Sequence, residues 1–342
     1  MGGEPAGLVG VLAQVSRPAG GGAVCPDFLP GGSGISPTRT RAAARPSPVD
    51  LLRELTPRDL YLLDVLSAHR VLTAEQVAAL LFPSLDRAQR RLLTLTRRGL
   101  LDRFRICVRP GSQPWRYTLG HAGAVLVAAS RAQPPPARAV HERAVAALAR
   151  SGQLAHRLGV NGVFTDLAGV AATTPGAALM SWYSEAVTTT LIKFARPAYN
   201  EAPLRPDGYG RWQDPDKMIS FLLEYDTGSE PLDRLTAKID RYRKVIATFR
   251  MPVLFHLPST ARETNLHRRA GPAAPRGIAT TVADLVTASG HTLAGPVWLP
   301  FGERRRRRLI DLGDLGDLGG SLWADYAHTT ASPPARHLPM IA

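Results

Sequence analysis

Apolar positions near the start of the chain repeat at helical spacing and predict three short helices. The first begins at Thr56, whose hydroxyl can cap it, and is followed by Pro at the first helical position. A second begins in the same way at Thr73. The third is expected from about Asp86 to Arg98 and ends at Gly99, because glycine is favoured just after the last residue of a helix.

The pattern changes from helical spacing to alternation in the segment LLDRFRICVRPGSQPWRYTL, residues 100–119. Apolar and basic residues alternate before the PGSQP turn, and apolar positions alternate again after it, which predicts a two-stranded hairpin. Three helices followed by a hairpin are the plan of a winged helix-turn-helix domain. On this plan the third helix enters the major groove of DNA and the hairpin contacts the backbone.

The second half of the chain mixes helical and strand patterns, which predicts an α/β core with a mixed sheet. The predicted order is a helix (154–171), a strand or short helix carrying Glu185 (181–186), a hairpin, a helix (231–249) and a strand (251–259). The fold class expected for the whole chain is therefore α/β, or α+β overall, with an N-terminal winged helix-turn-helix.

Composition divides the chain further. Residues 1–50 are rich in Gly, Pro, Ala and Ser, which predicts a disordered tail, and a translation start placed too far upstream would account for part of it. The winged helix is expected at 51–132, a Pro-rich linker at 133–140, the α/β domain at 141–312 and a flexible tail at 313–342.

Positive charge is concentrated in the predicted winged helix. The chain carries a net +14, and residues 84–116 hold nine Arg against two Asp. This favours duplex DNA as the partner, although a basic domain that makes only protein contacts is the competing interpretation. The candidate DNA-binding residues are Arg87, Arg90, Arg91, Arg97, Arg98, Arg103, Arg105 and Arg109.

Several classes of protein do not fit the sequence. Cys25 and Cys107 match no metal-ligand spacing or disulfide framework, so we expect a cytoplasmic protein. No apolar run is long enough for a membrane span, and the N-terminal GLVGVLAQV lacks the basic residues of a signal peptide. No phosphate-binding G-x-x-x-x-G-K-[ST] loop supports an ATPase. We interpret His156 as a packed or exposed helix residue.

Three acids surround the apolar strand ISFLLEYDT, residues 219–227. Alternation places Glu224 and Asp226 on the face opposite Tyr225, and Asp207 lies in the RPDG turn upstream. Two hypotheses remain open. The acids form a cation site, or they are neutralised by basic residues of the following helix, namely Arg234, Lys238 or Arg241.

The RPDG turn and the strand that ends in Glu-x-acid resemble the core of the PD-(D/E)XK nucleases. The resemblance implies that Asp207 and Glu224 hold Mg²⁺, with Asp226 as a third candidate ligand. Asp226 stands where that fold has its Lys, and Lys238 of the next helix could replace it. The candidate catalytic residues are Glu185, Asp207, Glu224, Asp226 and Lys238.

Taken together with the LEYDTGSE and KIDRYR segments, residues 54–312 resemble the replication–relaxation family of actinobacterial and plasmid-borne proteins. The resemblance implies a DNA-binding protein of plasmid or mobile-element replication or transfer, with a nuclease-like domain. An active Mg²⁺-dependent endonuclease and a protein-interaction adaptor are the alternatives. The partners expected are duplex DNA, replication or transfer proteins and a second copy of the chain, with no membrane.

Overall fold

A computed structural model describes residues 53–105, 113–195, 204–272 and 274–315. The helices are α1 (Pro57–His69), α2 (Ala74–Leu81), α3 (Leu85–Arg97), α4 (His121–Ser130), α5 (Arg138–Ala149), α6 (Leu154–Ala171), α7 (Glu185–Ala195), α8 (Leu232–Phe249), α9 (Thr260–Ala270) and α10 (Ala283–Ser289). The strands are β1 (Leu72–Thr73), β2 (Leu101–Phe104), β3 (Arg116–Leu119), β4 (Ala178–Ser184), β5 (Gly208–Asp214), β6 (Lys217–Tyr225), β7 (Val253–Leu257), β8 (Ile278–Val282) and β9 (Leu299–Pro300). A 3-10 helix spans Leu309–Asp314.

The N-terminal unit, α1 to α4 with β1 to β3, confirms the three predicted helices and the hairpin. Thr56 caps α1 and Thr73 caps α2, each in a reciprocal capping box with the third helical residue. After α3, Gly99 has a φ of 70°, a conformation that glycine adopts without strain. The three strands form one antiparallel sheet in the order β1-β3-β2.

Some of the expectations fall outside the described residues. The predicted hairpin tip, which includes Arg109, lies in the gap between residues 105 and 113. Most of the two predicted tails lies before residue 53 or after residue 315. Within the described residues, no helix is long and apolar enough to cross a membrane.

The C-terminal unit is built on a six-stranded mixed sheet in the order β4-β5-β6-β7-β8-β9, which confirms the predicted α/β class. The first three strands pair antiparallel, β6, β7 and β8 pair parallel, and β9 closes the edge antiparallel. The parallel β6–β7 pair requires a crossover, which α8 provides. The helix predicted at 154–171 is α6, and that predicted at 231–249 is α8.

Strand β6 confirms the alternation expected from its sequence. Phe221 and Leu223 pack into one core with α6, while Leu222 packs into the other core with α8. Both faces of the strand are therefore buried, as is typical of a central strand covered by helices on both sides. Glu224 follows Leu222 on the α8 face and is only 2% exposed.

Helix α6 joins the two units. Its backbone carbonyl at Leu158 accepts a hydrogen bond from Gln76 of α2 at 2.7 Å, and its Asn161 donates to the carbonyl of Val71 at 2.7 Å. His69 at the end of α1 stacks on Trp182 of β4 with ring centroids 3.7 Å apart. The N-terminal unit is thus docked onto the same helix that borders the candidate site described next.

Candidate functional site

A polar cleft of about 190 Å³ opens at the end of β6, between α6 and α8. Its lining includes four of the five candidate catalytic residues, together with His156 of α6; the four are Asp207, Glu224, Asp226 and Lys238. Asp207 directly precedes β5, which pairs antiparallel with β6, so the hairpin brings the two carboxylates to one edge of the sheet. We call this space the carboxylate cleft.

Glu224 is the most buried acid of the cleft. It accepts hydrogen bonds from the ammonium of Lys238 and from the hydroxyl of Tyr242, both on α8. Burial raises the pKa of Glu224 to about 8, with a further contribution from the negative charge of Asp207. The two carboxylates are therefore close enough to repel each other, and Glu224 exchanges its proton near neutral pH.

Lys238 supplies an ammonium group to Glu224, which has Asp226 and not a Lys two residues after it in the sequence. Burial alone would lower the pKa of Lys238, but Glu224 and Asp207 outweigh it and the pKa is raised. The side chain therefore stays protonated at neutral pH while it faces the cleft. The pairing also confirms one of the partners considered for Glu224 from the sequence, whereas Arg234 and Arg241 are exposed.

Asp207 is oriented by two donors. One carboxylate oxygen accepts the backbone N–H of Tyr225 at 2.8 Å and lies 3.0 Å from Nε2 of His156. Burial lowers the pKa of His156, but the hydrogen bond and charge of Asp207 outweigh burial and raise it. Interpreting His156 as an ordinary helix residue was therefore incomplete, because the side chain lines the cleft and binds its Asp.

Asp226 also lines the cleft, but its carboxylate is paired with a residue outside the lining. Its carboxylate forms an ion pair with Arg262 of α9 and accepts the backbone N–H of Gly228 at 2.7 Å. None of the basic residues proposed for it from the sequence is its partner. Asp226 therefore carries its own countercharge and does not place a free negative charge in the position of the missing Lys.

Glu185, the fifth candidate catalytic residue, lies apart from the other four. Glu185 begins α7, is exposed and lies outside the cleft lining. In the part of the chain that the structure describes, no group of three or more His, Cys, Asp or Glu side chains is arranged to hold a metal ion. We therefore take Asp207 and Glu224 as the carboxylate pair of the cleft, because Asp226 is already paired with Arg262.

Tyr225 forms a rigid wall beside the carboxylates. Its ring stacks on His256 of β7 with centroids 4.8 Å apart and lies against Gly159 of α6, where a Cβ would be 2.2 Å from the ring. Any side chain at position 159 would displace this ring, so the glycine allows α6 to approach the end of β6 closely.

The basic face of the N-terminal unit lies on α3. Ala88, Leu92 and Leu95 form its buried seam, as expected, and Arg87, Arg90 and Arg97 are exposed. The pair between Arg90 and Asp86 is on the surface, with about 72% of the arginine side chain exposed. Such a pair contributes little to stability, so Arg90 is available to a partner.

Two of the candidate DNA-binding arginines have partners within the fold. Arg91 donates from Nε to Asp59 at 2.8 Å, and Asp59 is 1% exposed. Arg98 pairs with Glu54. Arg91, a candidate DNA-binding residue from the sequence, instead neutralises a buried acid of α1.

The hairpin arginines lie on an aromatic side chain. The guanidinium carbons of Arg103 and Arg105 lie 4.2 Å and 4.7 Å from the ring centroid of Trp115. Stacking of this kind holds two positive charges at the base of the hairpin.

The model of the replication-relaxation family matches residues 63–251, more than half of the chain. The chain belongs to the replication-relaxation family. The match to replication-relaxation proteins covers most of the N-terminal unit, α6 and the whole hairpin that carries the carboxylates. Lys238 lies within it, whereas Arg262, the partner of Asp226, lies beyond it. No curated protein and no solved structure matches the chain.

Proposed function

We propose that this replication-relaxation protein binds duplex DNA through α3 and the β2–β3 hairpin and acts in the replication or transfer of a plasmid or mobile element. The observation that carries the proposal is the division of α3 into a buried apolar seam and an exposed face with Arg87, Arg90 and Arg97. A helix with these properties, followed by a basic hairpin, has the form of a DNA-recognition helix. Membership of the family supports the plasmid setting.

A binding assay with matched variants tests this proposal. Fluorescence anisotropy of a labelled duplex should show binding by the wild-type protein and weaker binding by the double variant Arg87→Ala/Arg90→Ala. Each phosphate contact contributes roughly eightfold to affinity at about 0.1 M salt, so the loss of two contacts should be roughly 60-fold. Arg97 is left in place, and Arg91 is avoided because it neutralises Asp59.

Arg276→Ala is the control. Arg276 is exposed and precedes β8, at the end of the parallel strands opposite the carboxylate cleft. This variant should bind like the wild-type protein. Affinity that is insensitive to the two α3 arginines would remove the recognition-helix assignment, and absence of duplex binding by the wild-type protein would favour the protein-interaction adaptor.

A second candidate function is Mg²⁺-dependent cleavage of DNA, and the position of Lys238 favours it. Asp226 stands where a Lys was expected, two residues after Glu224, but Lys238 reaches Glu224 from α8 and Asp226 is neutralised by Arg262. The pair of carboxylates, Asp207 and Glu224, fits Mg²⁺, which binds protein through one or two carboxylates and keeps several waters. The ion would supply positive charge that polarises a phosphodiester.

The residues of the cleft have distinct parts in this proposed reaction. Lys238, protonated at neutral pH, places positive charge where the phosphate develops negative charge. Asp207 is held in position by the backbone N–H of Tyr225, and His156 donates to the same oxygen. His156 therefore orients Asp207 and brings an ionisable nitrogen to the cleft.

A plasmid assay tests the second function. Supercoiled plasmid with Mg²⁺ should be nicked by the wild-type protein, and nicking should be lost in Lys238→Met and in Glu224→Gln. The variant Arg241→Met, on the exposed side of the same helix, should cleave normally. Nicking that survives in Glu224→Gln would come from a contaminant or another site. Duplex binding without nicking would leave the DNA-binding proposal standing alone.

A further inference from the structure

Arg70 joins α1 to β1 in a backbone conformation that side-chain-bearing residues rarely adopt. Its φ is 75° and its ψ is −43°, and the N–H of Val71 donates to the carbonyl of His69 at 2.9 Å. Arg70 is therefore the central residue of a γ-turn of the rare, strained hand. A glycine would adopt this conformation without a steric penalty, yet the position carries a long cationic side chain.

Three hydrogen bonds hold the turn. The hydroxyl of Thr118 on β3 donates to the carbonyl of Arg70 at 2.6 Å. The side-chain amide of Asn161 on α6 donates to the carbonyls of Val71 and His69 at 2.7 Å and 3.3 Å. Strained backbone persists where its surroundings over-determine it, and such positions cluster at functional sites. The turn is thus fixed at the junction between the two units.

The helix that holds the turn through Asn161 carries a second arginine near Arg70. Arg157 lies one turn before Asn161 on α6 and is partly buried. Burial lowers the pKa of Arg157, and the positive charge of Arg70 lowers it further, so the two guanidinium groups are close enough to repel.

Among the described residues, neither Arg70 nor Arg157 forms a side-chain hydrogen bond or an ion pair. Glu185 is near enough to raise the pKa of Arg157 but lies outside ion-pair distance. Two neighbouring cations repel each other, and a bound anion would relieve the repulsion.

We propose that Arg70 and Arg157 form a phosphate-binding site that holds the DNA backbone between the N-terminal unit and the carboxylate cleft. The inference rests on the proposed binding of duplex DNA and adds a contact away from α3. Guanidinium groups suit this task because their planar donors bind phosphate oxygens in pairs. His156, the neighbour of Arg157 on α6, lines the cleft, so the site lies beside the entrance to the candidate catalytic residues.

Two single variants test the site, and they separate binding from folding. Arg70→Gly removes the cation and relieves the strained φ, so its melting temperature should rise while its affinity for a labelled duplex falls. Arg157→Gln keeps a polar, flexible side chain and removes its charge. Each variant should lose roughly eightfold in affinity at about 0.1 M salt, the contribution of one phosphate contact.

The matched control is Arg276→Ala, which removes one exposed positive charge at the opposite end of the sheet. Its affinity should equal that of the wild-type protein. If the two junction variants bind like the wild type while Arg87→Ala/Arg90→Ala binds weakly, the junction site is wrong and the DNA-binding proposal stands. A fall in melting temperature that accompanies the loss of affinity in both variants would also overturn the site. No duplex binding by the wild-type protein would remove both proposals.

Discussion

Lys238 of α8 donates a hydrogen bond to Glu224 of β6, although the two residues are 14 positions apart in sequence. The ammonium therefore reaches the carboxylate from a neighbouring helix. In the sequence, the residue two positions after Glu224 is Asp226 and not a Lys. This arrangement is compatible with both hypotheses considered from the sequence, neutralisation by a basic residue and a cation site. The acid is neutralised by a basic residue, and it still lies beside a second carboxylate that a cation could join.

The first prediction concerns the stability of this pair. Lys238→Met leaves Glu224 buried with Tyr242 as its donor, and we expect the free energy of unfolding to fall by about 1–3 kcal/mol. The cost stays moderate because Glu224 can take up a proton, given its raised pKa. Chemical denaturation measures the change. Arg241→Met on the same helix should hardly change stability, and an equal loss in both variants would show that the pair is not the cause.

The second prediction uses the metal directly. If Asp207 and Glu224 bind Mg²⁺, the ion should raise the melting temperature, since a ligand that binds only the folded state stabilises it. At about 100 times its dissociation constant the gain is about 2.7 kcal/mol. Glu224→Gln keeps one oxygen that can accept from Lys238, its amide N–H can donate to the hydroxyl of Tyr242, and it should abolish the metal-dependent shift. A shift of the same size in Glu224→Gln would place the metal elsewhere.

The third prediction separates a structural arginine from a surface arginine on α3. Arg91→Ala leaves the carboxylate of Asp59 buried without its cation, so we expect a loss of about 3 kcal/mol in the free energy of unfolding. Arg90→Ala should hardly change stability, because its pair with Asp86 is exposed. Thermal unfolding of the two variants distinguishes them. Equal melting temperatures would mean that Asp59 does not depend on Arg91.

The fourth prediction concerns pH and the junction of the two units. Burial lowers the pKa of His69 to about 3, with a further contribution from the charge of Arg157. In the unfolded chain His69 therefore binds a proton with a pKa of about 6.5, whereas in the folded protein it stays neutral at that pH. Stability that is present above about pH 6.5 should be lost as the pH falls toward 3.

His69→Phe isolates this contribution. The variant keeps an aromatic ring for the stack on Trp182 and removes the titrating group. Its melting temperature should fall less steeply than that of the wild-type protein between pH 6.5 and pH 4. An equal fall in the melting temperatures of the two proteins would mean that protonation of His69 does not destabilise the folded state.

The sequence predicted local features well because they depend on neighbouring residues. Capping at Thr56 and Thr73, the end of α3 at Gly99 and the extent of α6 all follow from short-range patterns, and the structure confirms them. The alternation along β6 also held, because a strand buried on both faces has few other arrangements.

Partners distant in sequence could not be predicted in the same way. The helix α9, which supplies Arg262 to Asp226, was missing from the sequence interpretation, so only residues of α8 were considered for that acid. His156 and Asp207 are 51 positions apart in sequence, and Arg91 and Asp59 are 32 positions apart. These pairs are set by how α6 packs on the hairpin and α1 on α3, and neither packing leaves a periodic signal in the sequence.

The most direct measurement of the central claim is the affinity for duplex DNA as a function of salt concentration. For the wild-type protein, the logarithm of the association constant should fall linearly with the logarithm of salt concentration, with a slope of about −0.9 for each phosphate contacted. Arg87→Ala/Arg90→Ala should make that slope shallower by about two units, and Arg276→Ala should leave it unchanged. A wild-type slope near zero would contradict DNA binding through this helix. An equal slope in the wild-type protein and in Arg87→Ala/Arg90→Ala would contradict it as well.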